Sequence, residues 1–518
     1  MAKLLDYVTQ RTKEYIEKMP KSLRKKYGQF FTSNETAFFM ANLFDMPSEK
    51  AEISVLDAGA GTGVLSVALI ERAQDAGNIT HIKLTCYEND PNILDLLQEN
   101  LKWVQLNSEI DIDYQINTEN YILSQNFDYN GRIGANPNPE KYDMVIGNPP
   151  YMKIAKDAPE AKAMPDVCYG APNLYFLFAS MGAFNLKVTG EMVYIIPRSW
   201  TSGAYFKKFR QKFLKECVLE HIHLFVSRDK VFDKESVLQE TIIIKVKKAT
   251  VNPSHIRITT TKTNGDFSEI TVFDAPYDTV VSGANKYVFL VTNSEEVDTL
   301  EKLNSWQYTL PKLGIPMKTG LTVDFRNRNA LRNRAEEAAV PLFYSQHIKD
   351  GRVIFPIGKE CEYIVTDQPG LLQDNENYLF VKRFTAKEER RRLQCGVYLS
   401  RKHPRYNKIS TQNKINFIGG MKELSECTVY GLYVLFNSTL YDNYYRILNG
   451  STQVNSTEIN SMPVPSLSVI EEMGKLLIAS HDTSEQSCNE ILRSFIYDQD
   501  RRSENNLKRT ASTGKAAV

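Results

Sequence analysis

The sequence lacks the features of secreted, disulfide-stabilised and membrane-spanning proteins. Its seven cysteines are an odd number and include no CxxC pair, which argues against a disulfide framework or a structural metal site. No apolar run approaches the roughly 18–20 residues of a membrane span. The charged N-terminus, residues 1–20, has no apolar core typical of a signal peptide. These absences favour the reducing cytoplasm and predict neither a metal nor a membrane partner.

The chain also lacks an excess of either charge, because 63 Lys and Arg residues stand against 62 Asp and Glu residues. Global charge therefore gives no sign of nucleic acid, and any such partner has to be argued from local clusters. With 518 residues, the chain exceeds one typical domain, so two or three domains are expected.

Strands and helices alternate in the first half of the chain. Strand patterns such as "ISVLDAG" (53–59) and "IKLTCYEND" (82–90) are separated by helical patterns. This alternation predicts an α/β fold with a mostly parallel sheet and ligands at the C-terminal ends of its strands. After about residue 250 the chain becomes polar and β-rich. We predict domains at 1–250 and 311–495, a β-rich connecting region at 251–310 and a disordered tail at 496–518.

A glycine-rich turn, "VLDAGAGTG" (55–63), follows the first predicted strand. After Asp57, the glycines Gly59, Gly61 and Gly63 let the backbone approach a ligand, and the next helix start presents free N–H groups. Dinucleotide-binding enzymes have similar turns, so the motif alone leaves the ligand open. A phosphate-binding loop would carry a Lys-Ser/Thr pair after the glycines, and none follows.

Polar side chains also follow the next two predicted strands. Glu88 ends the second strand, where an acidic residue commonly binds ribose hydroxyls. Asn120 follows the third strand, and its amide could read the exocyclic amine of an adenine ring. Taken alone, Glu88 is as compatible with a solvated carboxylate, and Asn120 with a turn residue.

The fourth predicted strand ends in a stiff loop, "GNPPY" (147–151). Pro149 and Pro150 cannot donate to a sheet ladder, so the strand must end in a rigid, extended conformation. The side-chain carbonyl of Asn148 and the backbone carbonyl of Pro149 can accept both hydrogens of one –NH2 group. That would orient the nitrogen lone pair toward an electrophile. Tyr151 supplies a flat face for stacking, so the loop predicts a bound planar amine.

The motifs, in this order, resemble the gamma-class adenine-N6 DNA methyltransferases of type II restriction–modification systems. The match covers about residues 21–250 and includes "YGQFFTS", the glycine turn, "GNPPY", "NLYFLF", "GEMVYIIPRSW" and "VFDKESVLQETIII". A second match, "GSTQVNSTEINSMPVP" (450–465), is similar to the end of these enzymes' recognition domains. The resemblance implies a Rossmann-like S-adenosylmethionine-dependent methyltransferase domain with a mixed, mostly parallel sheet. A mixed α/β C-terminal target-recognition domain would follow.

The resemblance also implies how the cofactor, S-adenosyl-L-methionine, is held. Thr32 would contact its methionine end, and Ser33 stands where many members of the family have proline. Asp57 and the glycine turn would hold the methionine moiety, and Glu88 the ribose. Asn120 occupies a position where an aspartate often reads the cofactor adenine. Near Thr32 in the same motif lie Tyr27, Gln29 and Phe31.

The target adenine would be held by Asn148, Pro149, Pro150 and Tyr151, and Phe232 in "VFDKES" would stack on its other face. A base inside a duplex cannot reach the cofactor, so it must be flipped out, and aromatic stacking would offset part of that cost. The amine would attack the methyl group directly. Alignment of nitrogen, methyl and sulfur is then the main catalytic device, without a metal or a protein nucleophile.

A basic stretch at 381–408 lies in the predicted recognition domain. Such a cluster suits phosphate contacts, and arginine can also read guanine edges. Taken without context, it is as often a solvated face. The residues predicted to contact double-stranded DNA are Arg383, Arg390, Arg391, Arg392, Arg401, Lys402 and Arg405.

We therefore expect a monomeric, bacterial or archaeal DNA methyltransferase that is either solitary or paired with a cognate restriction endonuclease acting separately. Three alternatives stay open. Protein-glutamine and rRNA-guanine methyltransferases use a similar loop, but they are generally shorter and lack the N-terminal element together with the recognition region. A non-catalytic DNA-binding subunit would not need the intact motif residues. A fused restriction–modification enzyme would need a nuclease core, for which no motif is convincing.

Overall fold

The computed structural model describes residues 4–18, 20, 31–134, 136, 139–170, 172–225, 241–386, 389–449 and 452–496. The chain forms two compact units, Met1–Asn293 and Ser294–Val518. The predictions for Tyr27, Gln29 and Phe232, and nearly all of the predicted tail, lie outside the described residues.

The first unit is built on one large sheet. Its strands are β1 Glu52–Ala58, β2 His81–Tyr87, β3 Asp111–Asn117, β4 Tyr142–Gly147, β5 Leu186–Pro197, β6 Val218–Phe225, β7 Thr241–Lys247, β8 His255–Thr261 and β9 Thr271–Pro276. The nine strands lie in the order β3-β2-β1-β4-β5-β7-β6-β8-β9. The first five strands in this order are parallel to one another, and β7 runs antiparallel to both β5 and β6.

Helices connect and cover these strands. They are α1 Leu4–Lys18, α2 Asn34–Asn42, α3 Val64–Ala76, α4 Pro91–Asn107, α5 Tyr121–Ser124, α6 Asn126–Tyr129, α7 Pro159–Ala163, α8 Leu174–Asn185, α9 Lys207–Glu216 and α10 Tyr277–Val280. Local capping explains where several begin. Asp90 caps α4 by accepting a 3.0 Å hydrogen bond from the Asn92 N–H, with Pro91 at the first helical position.

The central strands of this unit have long apolar runs because they are buried in its core. Residues such as Val55, Ile146, Val193 and Ile243 are fully or almost fully buried in one cluster. Parallel strands covered by helices on both faces read as nearly continuous apolar sequence. The predicted α/β fold with a mixed, mostly parallel sheet is confirmed.

The segment at 251–310 differs from the expected connecting region. Strands β8 and β9 extend the large sheet, because β8 pairs with β6 in parallel, for example Ile222 with Ile258. A hairpin of β10 Val281–Ser282 and β11 Tyr287–Val288 follows, and the unit ends at Asn293. The pairing of β8 with β6 joins residues that are far apart in the sequence, so the local pattern of apolar and polar residues does not reveal it.

The second unit is mixed α/β, with a six-stranded and a five-stranded sheet. Its strands are β12 Met317–Thr319, β13 Leu331–Arg332, β14 Val340–Phe343, β15 Ile348–Lys349, β16 Arg352–Val353, β17 Tyr363–Ile364, β18 Gln373–Asp374, β19 Tyr378–Lys382, β20 Cys395–Tyr398, β21 Lys408–Thr411 and β22 Ile415–Ile418. Its named helices are α11 Ser294–Asn304, α12 Glu426–Asn437, α13 Thr439–Leu448, α14 Ser456–Ile459 and α15 Leu467–Ser480. Within the described part of the chain, no helix has the length and apolarity to cross a membrane.

Two glycines allow a close helix contact in this unit. A Cβ atom on Gly431 of α12 would lie 1.7 Å from the Ile470 carbonyl oxygen. A Cβ atom on Gly474 of α15 would lie 1.8 Å from the Cys427 carbonyl oxygen. The two helices therefore meet backbone to backbone, at a spacing that only glycine permits.

Candidate active site

Four neighbouring strands of the large sheet end at one cavity of about 370 Å³. Residues that follow β1, β2, β3 and β4 all contribute to its wall, as expected for the C-terminal edge of a parallel sheet. The lining residues from these strand ends are Gly59, Gly61, Glu88, Asn89, Asp90, Pro91, Glu119, Asn120, Tyr121, Asn148 and Pro150. The cavity thus brings together most of the predicted cofactor residues and part of the "GNPPY" loop.

The charge of this cavity decides which ligands it suits. Its wall contains the carboxylates of Glu88, Asp90, Glu119 and Glu160, and the described lining residues include no Lys, Arg or His. Phosphate groups would be repelled here, whereas a cationic ligand would be attracted. This lining disfavours a dinucleotide, which the glycine turn alone had left open, and favours a cofactor that carries a sulfonium and an ammonium group.

The glycine turn brings backbone to the cavity wall. Gly59, Gly61 and Gly63 have φ angles of 78°, 57° and 87°, in the left-handed region that glycine enters without strain. Gly59 and Gly61 line the cavity. Gly63 has a packing role instead. It precedes α3, and a Cβ atom there would come 3.1 Å from the Leu97 side chain.

Glu88 ties two strand ends together. Its Oε2 atom accepts a hydrogen bond of 2.9 Å from the Gly61 N–H, and Oε1 accepts one of 2.9 Å from the Asp90 N–H. Burial raises the pKa of Glu88, and these backbone donors act in the opposite direction. A carboxylate can accept about four hydrogen bonds, so this arrangement is compatible with the ribose contact implied by the resemblance.

Asn120 is already engaged as a helix cap. Its Oδ1 atom accepts hydrogen bonds of 3.1 Å from the N–H groups of Ile122 and Leu123 at the start of α5. Its Nδ2 atom donates to Glu160 Oε1 at 2.9 Å. The predicted contact with the cofactor adenine therefore competes with the cap.

The "GNPPY" loop is anchored from two distant parts of the chain. Asn148 Nδ2 donates a 3.2 Å hydrogen bond to Thr32 Oγ1, and Asn148 Oδ1 accepts one of 2.8 Å from the Tyr151 hydroxyl. The same hydroxyl lies 2.9 Å from the Ile195 carbonyl oxygen at the end of β5. These partners set which way the Asn148 amide points.

Tyr151 is more enclosed than a stacking platform would be. The residue is 7% exposed, and its ring meets the Tyr175 ring edge-on at a centroid distance of 6.3 Å. In this structure the side chain supports the loop, and its predicted stacking on a flipped base stays a prediction.

Comparison with known proteins identifies the family. A family model described as Eco57I restriction-modification methylase matches residues 67–232. The type II methyltransferase M.PstI of Providencia stuartii is 33% identical over 468 residues, which span 88% of this chain and 90% of that protein. M.BsuBI of Bacillus subtilis, also a type II methyltransferase, is 35% identical over 465 residues, with coverage of 88% and 91%. The chain belongs to the type II restriction–modification methyltransferases.

The fold agrees with a solved structure of a larger enzyme. The type IIL restriction–modification enzyme MmeI, in complex with DNA, aligns over 86% of this methyltransferase and 70% of its own chain, with a TM-score of 0.52 and 12% identity. As a member of the family shown by its relatives, the chain is a DNA methyltransferase whose methyl donor is S-adenosylmethionine. Its acidic cavity fits that donor in charge and in its position at the strand ends.

Asp57 lies in the core of the first unit, beneath the residues that line the cavity. It is fully buried and is not among the described residues that line the cavity. Its Oδ2 atom accepts a 2.7 Å hydrogen bond from Ser66 in α3, whereas its buried Oδ1 atom has no hydrogen-bond partner among the described residues. Burial raises the pKa of Asp57 to about 7. An unsatisfied buried oxygen below the glycine turn is the kind of group that a ligand or an ordered water completes.

Asp57→Asn should change how stability depends on pH. The pKa of Asp57 rises from an ordinary 3.8 to about 7 on folding, so its protonated form favours the folded state. That stabilisation is present below about pH 4 and is lost as the pH rises through 7, a change of roughly 4 kcal/mol. The variant lacks this titration. Urea unfolding between pH 4 and 8 should show wild type losing stability relative to the variant as the pH rises, and parallel pH curves would contradict the assignment.

The basic stretch of the second unit divides into exposed and structural residues. Arg390 is exposed and pairs with Glu485 at 2.7 Å, and Arg401 is exposed and pairs with Glu426. Lys402 and Arg405 are also exposed. Arg383 is half-buried and donates to the Asn413 carbonyl at 2.9 Å.

Two of the predicted DNA contacts are structural instead. Arg392 is 1% exposed, and its Nε donates to Thr385 Oγ1 at 3.2 Å. The Arg391 guanidinium is mostly buried and donates to the carbonyl oxygens of Phe436 and Ser438 at 3.0 and 3.1 Å. The prediction is wrong for Arg392, because a buried guanidinium cannot reach a phosphate, and Arg391 is committed to helix carbonyls.

Other titratable clusters of the methyltransferase have internal partners. His221 and His223 bond to threonine hydroxyls on β8, which indicates a structural role for both rings. The carboxylates of Asp45, Glu191 and Glu220 converge, and the Lys245 ammonium lies 2.6, 3.2 and 3.4 Å from them. This lysine stands where a metal cation would.

Sequence reasoning missed Glu160 and the link between Thr32 and Asn148. Glu160 lies on the short helix α7, nine residues after Tyr151, in a segment with no distinctive composition. The only signal was indirect. An asparagine at position 120, where the family often has an aspartate, leaves room for a carboxylate from elsewhere.

Proposed function

We propose that this methyltransferase transfers a methyl group to N6 of a flipped-out adenine in double-stranded DNA. The observation that carries the proposal is the Asn148 amide, which lines the acidic cavity and is oriented by Thr32 and Tyr151. Pro149 and Pro150 keep its loop stiff, and the Pro149 carbonyl would be the second acceptor on the same frame. Two acceptors on one frame suit a planar amine.

The residues of the chain contribute orientation and charge. S-adenosylmethionine supplies a methyl group on a sulfonium, which a neutral amine can attack directly. Asn148 and Pro149 would accept the amine hydrogens and aim the nitrogen lone pair along the axis of displacement. The nitrogen–carbon bond would form as the carbon–sulfur bond breaks, with S-adenosylhomocysteine as the leaving group and one amine proton passing to solvent. Glu88 and the glycine turn would hold the donor in place.

We further propose that the second unit recognises the DNA target. Its exposed Arg390, Arg401, Lys402 and Arg405 offer phosphate contacts. Contacts of this kind make affinity fall with salt, so salt-independent binding would count against them. The enzyme would act as a monomer in the cytoplasm of a bacterial or archaeal cell. It would protect host DNA from a separate endonuclease.

The test is to incubate the enzyme with duplex DNA and methyl-labelled S-adenosylmethionine, and then to digest the DNA to nucleosides. We expect the label in N6-methyladenine. Label in N4-methylcytosine would keep DNA methylation but overturn the adenine assignment, because cytosine also presents a planar amine. Label in protein or in rRNA, with unlabelled DNA, would favour the protein-glutamine or rRNA-guanine alternative. Sequencing that detects modified bases would reveal the target site.

A further inference from the structure

The geometry around Asn120 points to a second acidic residue in the cofactor site. The side-chain oxygen of Asn120 accepts two backbone N–H groups at the start of α5. A carbonyl oxygen has two lone pairs, so these bonds use its full capacity. Breaking these bonds to bind a ligand would remove the helix cap, which typically contributes about 0.5–2 kcal/mol to stability. Another acceptor on the same wall would avoid this cost.

Glu160 is such an acceptor. It lines the same cavity as Asn120, and its Oε1 atom lies 2.9 Å from Asn120 Nδ2, which donates to it. An ionised carboxylate accepts about four hydrogen bonds and donates none. The bond to Asn120 therefore orients the carboxylate and leaves it capacity for a ligand amine.

The surroundings of this pair suit a purine ring. Ile93, Leu174 and Phe178 line the same cavity and supply apolar and aromatic surface. A flat base bound against such side chains would present its edge to polar groups. Asn120 and Glu160 are polar groups of that wall, and only the carboxylate has an acceptor atom that the helix cap does not use.

We propose that Glu160 accepts the hydrogen bond from the exocyclic amine of the cofactor adenine, and that Asn120 positions Glu160 while capping α5. Glu160 is then the residue that distinguishes adenine from a purine with oxygen at position 6. A 6-oxo purine would place a carbonyl against a carboxylate, leaving both unpaired, which a binding site rejects strongly. The proposal rests on S-adenosylmethionine as the donor and is independent of the target base.

The test compares two ligands on the full-length chain by calorimetry. One is S-adenosylhomocysteine, and the other is its inosine counterpart, made by deaminating the adenine. Wild type should bind the adenine ligand more tightly. Glu160→Ala should weaken the adenine ligand by about 10- to 100-fold, as expected for a charge-assisted hydrogen bond, and should not weaken the inosine ligand. The Glu160→Ala variant would then bind the adenine and inosine ligands with similar affinity.

The matched control is Glu119→Ala, which removes another carboxylate from the same cavity wall. It should keep the preference for adenine, because any loss of general negative charge affects both ligands alike. Retained inosine binding in Glu160→Ala shows that the variant is folded. Equal weakening of both ligands would mean that Glu160 only supports the structure. A preference that survives in Glu160→Ala but disappears in Asn120→Ala would assign the reading to Asn120, and either result overturns the proposal.

Discussion

Asn148→Ala should lower the rate of methyl transfer by about 100- to 10,000-fold and leave the affinity for S-adenosylmethionine within a few-fold of wild type. Its amide oxygen is one of the two acceptors that we assign to the target amine, and its orientation depends on Thr32 and Tyr151. We assign binding of the donor mainly to the ends of the other strands, at Glu88 and the glycine turn. Single-turnover kinetics, combined with calorimetry of the donor, separate the two effects.

The control for this variant is Asn107→Ala. Asn107 is an exposed asparagine at the end of α4, and its side chain donates a hydrogen bond of 2.8 Å to the Trp103 carbonyl oxygen in the same helix. It should transfer methyl groups at the wild-type rate. An Asn148→Ala enzyme that matched wild type in single turnover would refute the role of the amide. A variant that lost donor binding as well would show that the side chain serves the cofactor rather than the base.

Gly431→Ala should destabilise the second unit by about 3 kcal/mol or more, which is beyond most overpacking substitutions. The new Cβ atom would come 1.7 Å from the Ile470 carbonyl oxygen, so α12 and α15 would have to separate. Backbone atoms cannot rotate away as a side chain can. Differential scanning calorimetry of the full-length chain should show the transition of this unit at a clearly lower temperature.

Gly370→Ala provides the matched comparison. A Cβ atom on Gly370 meets nothing within 4 Å, and the residue does not have a positive φ angle. Its stability should therefore stay within about 0.5 kcal/mol of wild type. If both alanine variants had the same transition temperature as wild type, the assigned close contact between α12 and α15 would be wrong.

The fold of the first unit was predictable because its signals are local. Apolar runs such as the one in β1 mark buried strands, and helical periods lie between them, so the α/β alternation is visible residue by residue. The order of the motifs then placed polar residues at strand ends, and the structure brings Glu88, Asn120 and Asn148 to one cavity. The prediction of a type II restriction–modification methyltransferase, which rested on that order, is confirmed by the relatives.

The parts that were not predictable depend on contacts between distant residues. Nothing in a run of arginines shows that Arg392 turns inward while Arg390, two residues earlier, stays exposed. The pairing of β8 with β6 joins segments that composition had assigned to different regions. Glu160 reaches Asn120 across 40 residues of chain. Each of these is a property of the packed molecule rather than of a window of sequence.

The acidic lining of the cavity has a consequence for turnover. We expect the four carboxylates to attract both the sulfonium and the ammonium group of the donor. Methyl transfer turns the sulfonium into a neutral thioether, so the spent cofactor keeps only one of its two positive groups. The cavity should therefore hold fresh cofactor more strongly than spent cofactor. The negative charge of the cavity wall should therefore reduce inhibition by the spent cofactor, and no residue has to move for this effect.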